Sequence, residues 1–68
     1  MVKIGDKFIL HSSNGLDYTI IINNINDCRP PEMIYGIDVY LKNKRCNNID
    51  FCGENLLSKC EKVIENEL

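Results

Sequence analysis

The sequence predicts a single small domain built mainly of β-strands, spanning residues 1–68. Three observations carry that prediction. Apolar side chains recur at every second position over residues 16–22 and again over residues 33–41, the period that turns one face of a strand inward. Clusters of turn formers, Ser12-Ser13-Asn14-Gly15 and Asp27-Cys28-Arg29-Pro30-Pro31, separate those stretches. A chain of 68 residues holds one core only, and buries roughly 60% of the surface its unfolded form exposes.

The elements follow in order. Gly5-Asp6 marks a turn or bulge, and Phe8-Ile9-Leu10 forms the first strand. Asn14-Gly15 is a strong hairpin signal, so residues 16–25 form the second strand with Leu16, Tyr18, Ile20 and Ile22 on one face. Residues 26–32 form a connecting loop, because Pro30 and Pro31 cannot donate to a ladder. Residues 33–41 form the central strand. Met33, Tyr35, Ile37, Val39 and Leu41 point inward, and Ile34, Gly36, Asp38 and Tyr40 point outward. The polar residues 42–48 are expected at a hairpin tip. Residues 49–52 make a short fourth strand with Ile49 and Phe51 inward, and Gly53 ends it. Residues 54–59 suit one helical turn, with Glu54 early and Lys59 late as the helix dipole favours. Residues 61–65, carrying Val63 and Ile64, form the fifth strand.

Five short strands in a meander, with a helical turn before the last, resemble the SH3-like barrel. The resemblance covers nearly the whole chain and rests on element order and on the turn Gly53-Glu54-Asn55-Leu56-Leu57-Ser58-Lys59. It implies a small sheet closed on itself. An OB-like barrel is the alternative, and usually needs a longer chain and a fuller helix. Phe51, Gly53, Glu54 and Leu56, in the pattern F-x-G-E-x-L, also resemble the endings of small phage and prophage proteins. Isoleucine, asparagine and lysine are abundant and have AT-rich codons, which points to a low-GC bacterium or one of its phages.

Such a fold hosts unrelated functions, so function is argued from residues. The chain has no tryptophan, against the aromatic groove that proline-rich peptides dock in. Its five other aromatics mostly fall on inward positions, against a methyl-lysine cage. The formal net charge of -2 does not suit a dedicated nucleic-acid binder. No apolar run is long enough to span a membrane, and the first residues lack a signal peptide's apolar core. The expected location is a cytoplasm, that of a bacterial host if the source is a phage.

Cys28, Cys46, Cys52 and Cys60 contain no C-x-x-C spacing, so free thiols are expected, with no metal site and no cofactor. In an up-and-down meander Cys28, Cys52 and Cys60 fall at one end, and Cys46 at the other with His11. A full strand then keeps Cys46 beyond the α-carbon separation of about 7 Å that a disulfide tolerates. His11 stands beside Ser12 and Ser13 without an evident orienting acid and reads as a solvated turn residue. Lys42, Lys44 and Arg45 form a basic tip that could contact phosphates. Tyr40 is the outward aromatic of the central strand and, with Ile34 and Ile21, forms a candidate apolar patch. The leading expectation is a non-enzymatic protein-binding module, a monomer or weak homodimer. It would dock on a host or viral protein, and inhibition of a host defence system is one form of such docking. The alternative is a nucleic-acid-associated module working through Lys42, Lys44 and Arg45.

Overall fold

The computed structural model describes residues 2–46 and 49–64. In chain order it holds β1 (Lys7–His11), β2 (Asp17–Ile25), a 3-10 turn (Pro31–Met33), β3 (Tyr35–Leu41), β4 (Lys44–Cys46), β5 (Phe51–Cys52), α1 (Glu54–Leu57) and β6 (Glu61–Val63). The six strands make one antiparallel sheet with the order β4-β3-β2-β1-β6. β5 lies on the same side of β3 as β4: it pairs with Tyr35 and Gly36, while β4 pairs with Val39, Tyr40 and Leu41.

Local chemistry sets the joints. In the first hairpin Gly15 takes φ 86°. The Leu16 carbonyl accepts the Ser12 N–H at 3.0 Å and its hydroxyl at 2.7 Å, and the Asn14 carboxamide oxygen accepts the Leu16 N–H at 3.1 Å. These bonds hold His11 opposite Asp17. Between β3 and β4 only Lys42 and Asn43 turn the chain, with φ of 50° and 70°. Two positive φ values belong to the two-residue turn whose twist suits a hairpin. The expected tip over residues 42–48 is therefore shorter. It ends at Asn43, Lys44–Cys46 is a strand, and residues 47 and 48 lie outside the described residues.

β2 and β3 form the centre. Their register shifts between Ile22 and Asn24, a bulge that leaves Asn23 without a partner. Gly36 faces it, and a methyl group there would stand 2.6 Å from the Asn23 side-chain oxygen and 2.9 Å from the Asn24 Cβ. Gly53 is equally confined: a Cβ would lie 2.1 Å from the Pro31 carbonyl oxygen. The 3-10 turn thus sits directly on the start of α1.

The core is Ile20 and Ile22 of β2, Tyr35, Ile37 and Val39 of β3, Phe8 of β1, Cys52 of β5 and Leu57 of α1, all buried. Tyr35, Ile37 and Val39 fall where the alternation puts them. Met33 does not: it lies in the 3-10 turn and is 37% exposed, because Pro30 and Pro31 hold the chain out of the ladder until Tyr35. The expected inward positions Ile49 and Phe51 are also exposed. Cys52 pairs with Tyr35 and Phe51 with Gly36, and directly paired residues share a face. Cys52 is therefore the inward residue of that pair. The last strand is Glu61–Val63, and Glu65, its expected end, lies outside the described residues. Closure into a barrel is not seen: among the described residues β4 and β6 end the sheet without pairing to each other.

Ile37 is 1% exposed and sits between both halves of the core. Ile37→Ala should cost about 2–5 kcal/mol by loss of transfer energy and the cavity left behind, read as a lowered urea midpoint at unchanged m-value.

Candidate functional site

Two rows of paired residues cross the solvent side of the sheet. One runs Glu61 (β6), Ile9 (β1), Thr19 (β2), Tyr40 (β3) and Arg45 (β4). The next runs Val63, Lys7, Ile21 and Asp38. Phe8, Ile20, Ile37 and Val39, on the intervening positions, are buried, so the alternation of side chains points these rows outward. Ile9, Ile21 and Tyr40 are half-buried and lie apart from the core cluster. Lys7, Thr19, Ile21, Tyr40 and Asn43 line a shallow hollow of about 300 Å³ there. Charged groups rim it: Arg45 binds Asp38 at 2.9 Å across the β3–β4 ladder, and Glu61 stands at the opposite edge.

Tyr40 and Ile21 thus meet as the sequence suggested. Ile34 does not join them. It precedes β3 with φ -62° and ψ -37° at the end of the 3-10 turn, and packs against the core beside Pro31, Glu32, Glu54 and Asn55. One non-strand residue breaks the parity that would have put it outward. Ile9 takes its place on the face.

His11 is not a turn residue but the last of β1. Its Nδ1 lies 2.9 Å from Asp17 Oδ1 and its Nε2 3.0 Å from Glu61 Oε1. Both partners are carboxylates that accept only, so the ring satisfies both when it is the imidazolium and donates from each nitrogen. The Glu61 hydrogen bond and then that of Asp17 raise the His11 pKa above its ordinary 6.5. Reasoning from near neighbours missed both acids. Asp17 was legible, since a hairpin around Asn14-Gly15 sets residues 11 and 17 opposite each other. Glu61, fifty residues away, needed the β1–β6 pairing. The two acids hold different nitrogens on opposite sides of the ring, so the three groups do not converge on one point. Among the described residues no group of histidine, cysteine and acidic side chains could hold a metal ion.

Lys42, Lys44 and Arg45 are not together at one tip. Lys42 belongs to the turn, Lys44 is opposite Leu41, and Arg45 is opposite Tyr40 on the outer face and tied to Asp38. Strand alternation sends Lys44 and Arg45 to opposite sides. Arg29 is the better-anchored cation. Its Nε donates to the Met33 carbonyl at 2.7 Å, its Nη2 to the Asn24 side chain at 2.7 Å and to the Ile34 carbonyl at 3.1 Å. Its guanidinium lies 4.8 Å from the Phe51 ring centroid. These bonds satisfy carbonyls of the β2–β3 connection and mark Arg29 as a staple of that loop.

All four cysteines are free. Cys46 pairs with Val39 and Cys52 with Tyr35, so four residues of β3, about 13 Å, part them. That is less than the full strand expected, because Cys46 is in β4 and not at the tip, and still beyond disulfide reach. Burial, then the charges of Cys60 and Glu54, push the Cys52 thiol up to about 11. On the inner side, Leu10, Tyr18, Val39, Cys46, Ile49 and Leu56 help line an apolar cavity of about 180 Å³. Comparison with known protein families, curated proteins and solved structures finds no match to this chain. Among the described residues no helix is long and apolar enough to cross a membrane.

Two measurements follow from this geometry. A raised folded pKa at His11 contributes stability below the unfolded value of about 6.5, and loses it as pH rises through the folded pKa. The stability difference between the parent and His11→Gln should therefore be largest near pH 6 and fade toward pH 9. A difference that does not change with pH would remove the imidazolium bridge. Thiol labelling of the native protein should find exposed Cys28 first and buried Cys52 last, because the thiolate is the reactive form. Equal rates at the two sites would contradict the burial of Cys52.

Proposed function

We propose that this protein is a small non-enzymatic module that docks a protein partner on the outer face of its sheet. The observation that carries the reading is the face itself. The solvent side of an antiparallel sheet is normally polar, yet here Ile9, Ile21 and Tyr40, mostly covered but still open to solvent, lie inside a rim of Lys7, Asp38, Arg45 and Glu61. An apolar centre with a charged rim is the anatomy of a protein interface, and tyrosine is among the residues that dominate binding energy. Strand order supports the finer description as an SH3-like fold, since the last strand returns to pair with the first after a short helical turn. The isoleucine, asparagine and lysine bias and the F-x-G-E-x-L ending support a phage or other mobile-element source, with work in a bacterial cytoplasm.

Truncating the aromatic tests the reading. Tyr40→Ala should weaken partner binding at least tenfold while the chain stays folded, because Tyr40 lies apart from the core cluster. Lys42→Ala should bind as the parent does. Binding of DNA or RNA that falls steeply with salt and is lost in Lys42→Ala would instead favour a nucleic-acid module.

A further inference from the structure

Both rows of the outer face are complementary to their own reversal. The first reads Glu61, Ile9, Thr19, Tyr40, Arg45 with its β2 residue in the middle, and the second Val63, Lys7, Ile21, Asp38, in which Lys7 and Asp38 flank the β2 residue. Consider a second copy turned by 180° about an axis that lies in the plane of the face along β2. Glu61 of one copy then meets Arg45 of the other, and Ile9 meets Tyr40. Lys7 meets Asp38, and the axial residues Thr19 and Ile21 meet themselves. In a two-fold interface the contact from i to j recurs from j to i. Residues on the axis must therefore tolerate their own kind, and Thr19 and Ile21 are uncharged. Off the axis, every charge of these rows with a described counterpart falls opposite its opposite.

We infer that the outer face is a self-association surface whose occupant is a second copy of this chain, packed sheet on sheet in a two-fold dimer. The inference rests on reading this face as a docking surface and names its partner. Facing sheets pack about 10 Å apart with their inner side chains interdigitated, which brings Tyr40 of each copy over Ile9 of the other. The third β2 position on this face, Asp17, would meet its own copy, but it is at the end of the strand and hydrogen-bonded to His11 at 2.9 Å. The row of five spans four strand spacings, about 19 Å. The two rows, at most of that width, offer on the order of 250 Å² per copy, well below the roughly 800 Å² of a stable interface. The dimer is therefore weak and reversible, and its charged rim makes it sensitive to salt.

The test is sedimentation equilibrium at low salt, from about 10 μM to about 1 mM, a range suited to weak association. Charge reversals at the two ends of the first row supply the comparison. The parent chain should rise with concentration from the monomer mass of 7.8 kDa toward twice that value. Arg45→Glu and Glu61→Arg should each weaken association at least tenfold, since each sets two like charges face to face. The double variant carrying both changes should regain it. Thermal melts of all four proteins separate this readout from loss of the Asp38 and His11 contacts within each chain. A parent that stays monomeric throughout overturns the inference. So does a dimer indifferent to the single reversals, or a folded double variant that does not recover. A monomeric parent that binds another protein, and loses it in Tyr40→Ala, would leave the docking face standing and remove only the second copy as its occupant.

Discussion

The antiparallel pairing of β2 with β3 is the constraint on which the rest of the molecule depends. Its residues include Ile20, Ile22 and Ile37, the three most completely buried side chains. β1 and then β6 add to the free edge of β2, while β4 and β5 share the free edge of β3. Because side chains alternate with a period of two, this one ladder decides which face every neighbouring strand presents. A slip of one residue would exchange the buried isoleucines for Ile21, Asp38 and Tyr40.

The bulge at Asn23 is the exception that makes the pairing workable. Past it, Ile25 packs against the core where an unbroken alternation from Ile22 would have sent Asn24 inward. The extra residue crowds the opposite strand, and glycine at position 36 admits it. The absence of a side chain there also lets Phe51 lie across the ladder, where Arg29 stacks on its ring. A backbone irregularity, a glycine and an aromatic–cation contact are thus one arrangement, and they hold the β2–β3 connection in place. Tyr35 adds to it from below, its hydroxyl donating to the Glu54 carboxylate and tying β3 to the start of α1.

The outer face draws on five strands far apart in sequence. Glu61 and Arg45 terminate a row whose middle comes from β1, β2 and β3. Its apolar centre is affordable in so small a domain because the core beneath it is complete without Ile9, Ile21 and Tyr40. The carboxylates on either side of His11 do a different task, joining β6 to the first hairpin through a charge that depends on pH.

The sequence by itself determined the class of the fold, the hairpin at Asn14-Gly15, the strand character of β2 and β3, the helical turn after Gly53 and the buried set Tyr35, Ile37 and Val39. These are local properties, written in period-two alternation and in residues with special φ preferences. It also placed Tyr40 and Ile21 outward, since both sit inside unbroken alternation. Only the tertiary structure decided the rest. Met33 and Ile34 left the strand pattern because two prolines and a 3-10 turn precede β3. Phe51 turned outward and Cys52 inward because a two-residue strand takes its facing from its partner and has too few residues to show a period. His11 found Glu61 through the β1–β6 ladder, and among the described residues β4 and β6 do not pair with each other. Parity within a strand is encoded by its own residues, whereas the partner across a ladder is chosen by the whole chain's burial, which no local stretch contains.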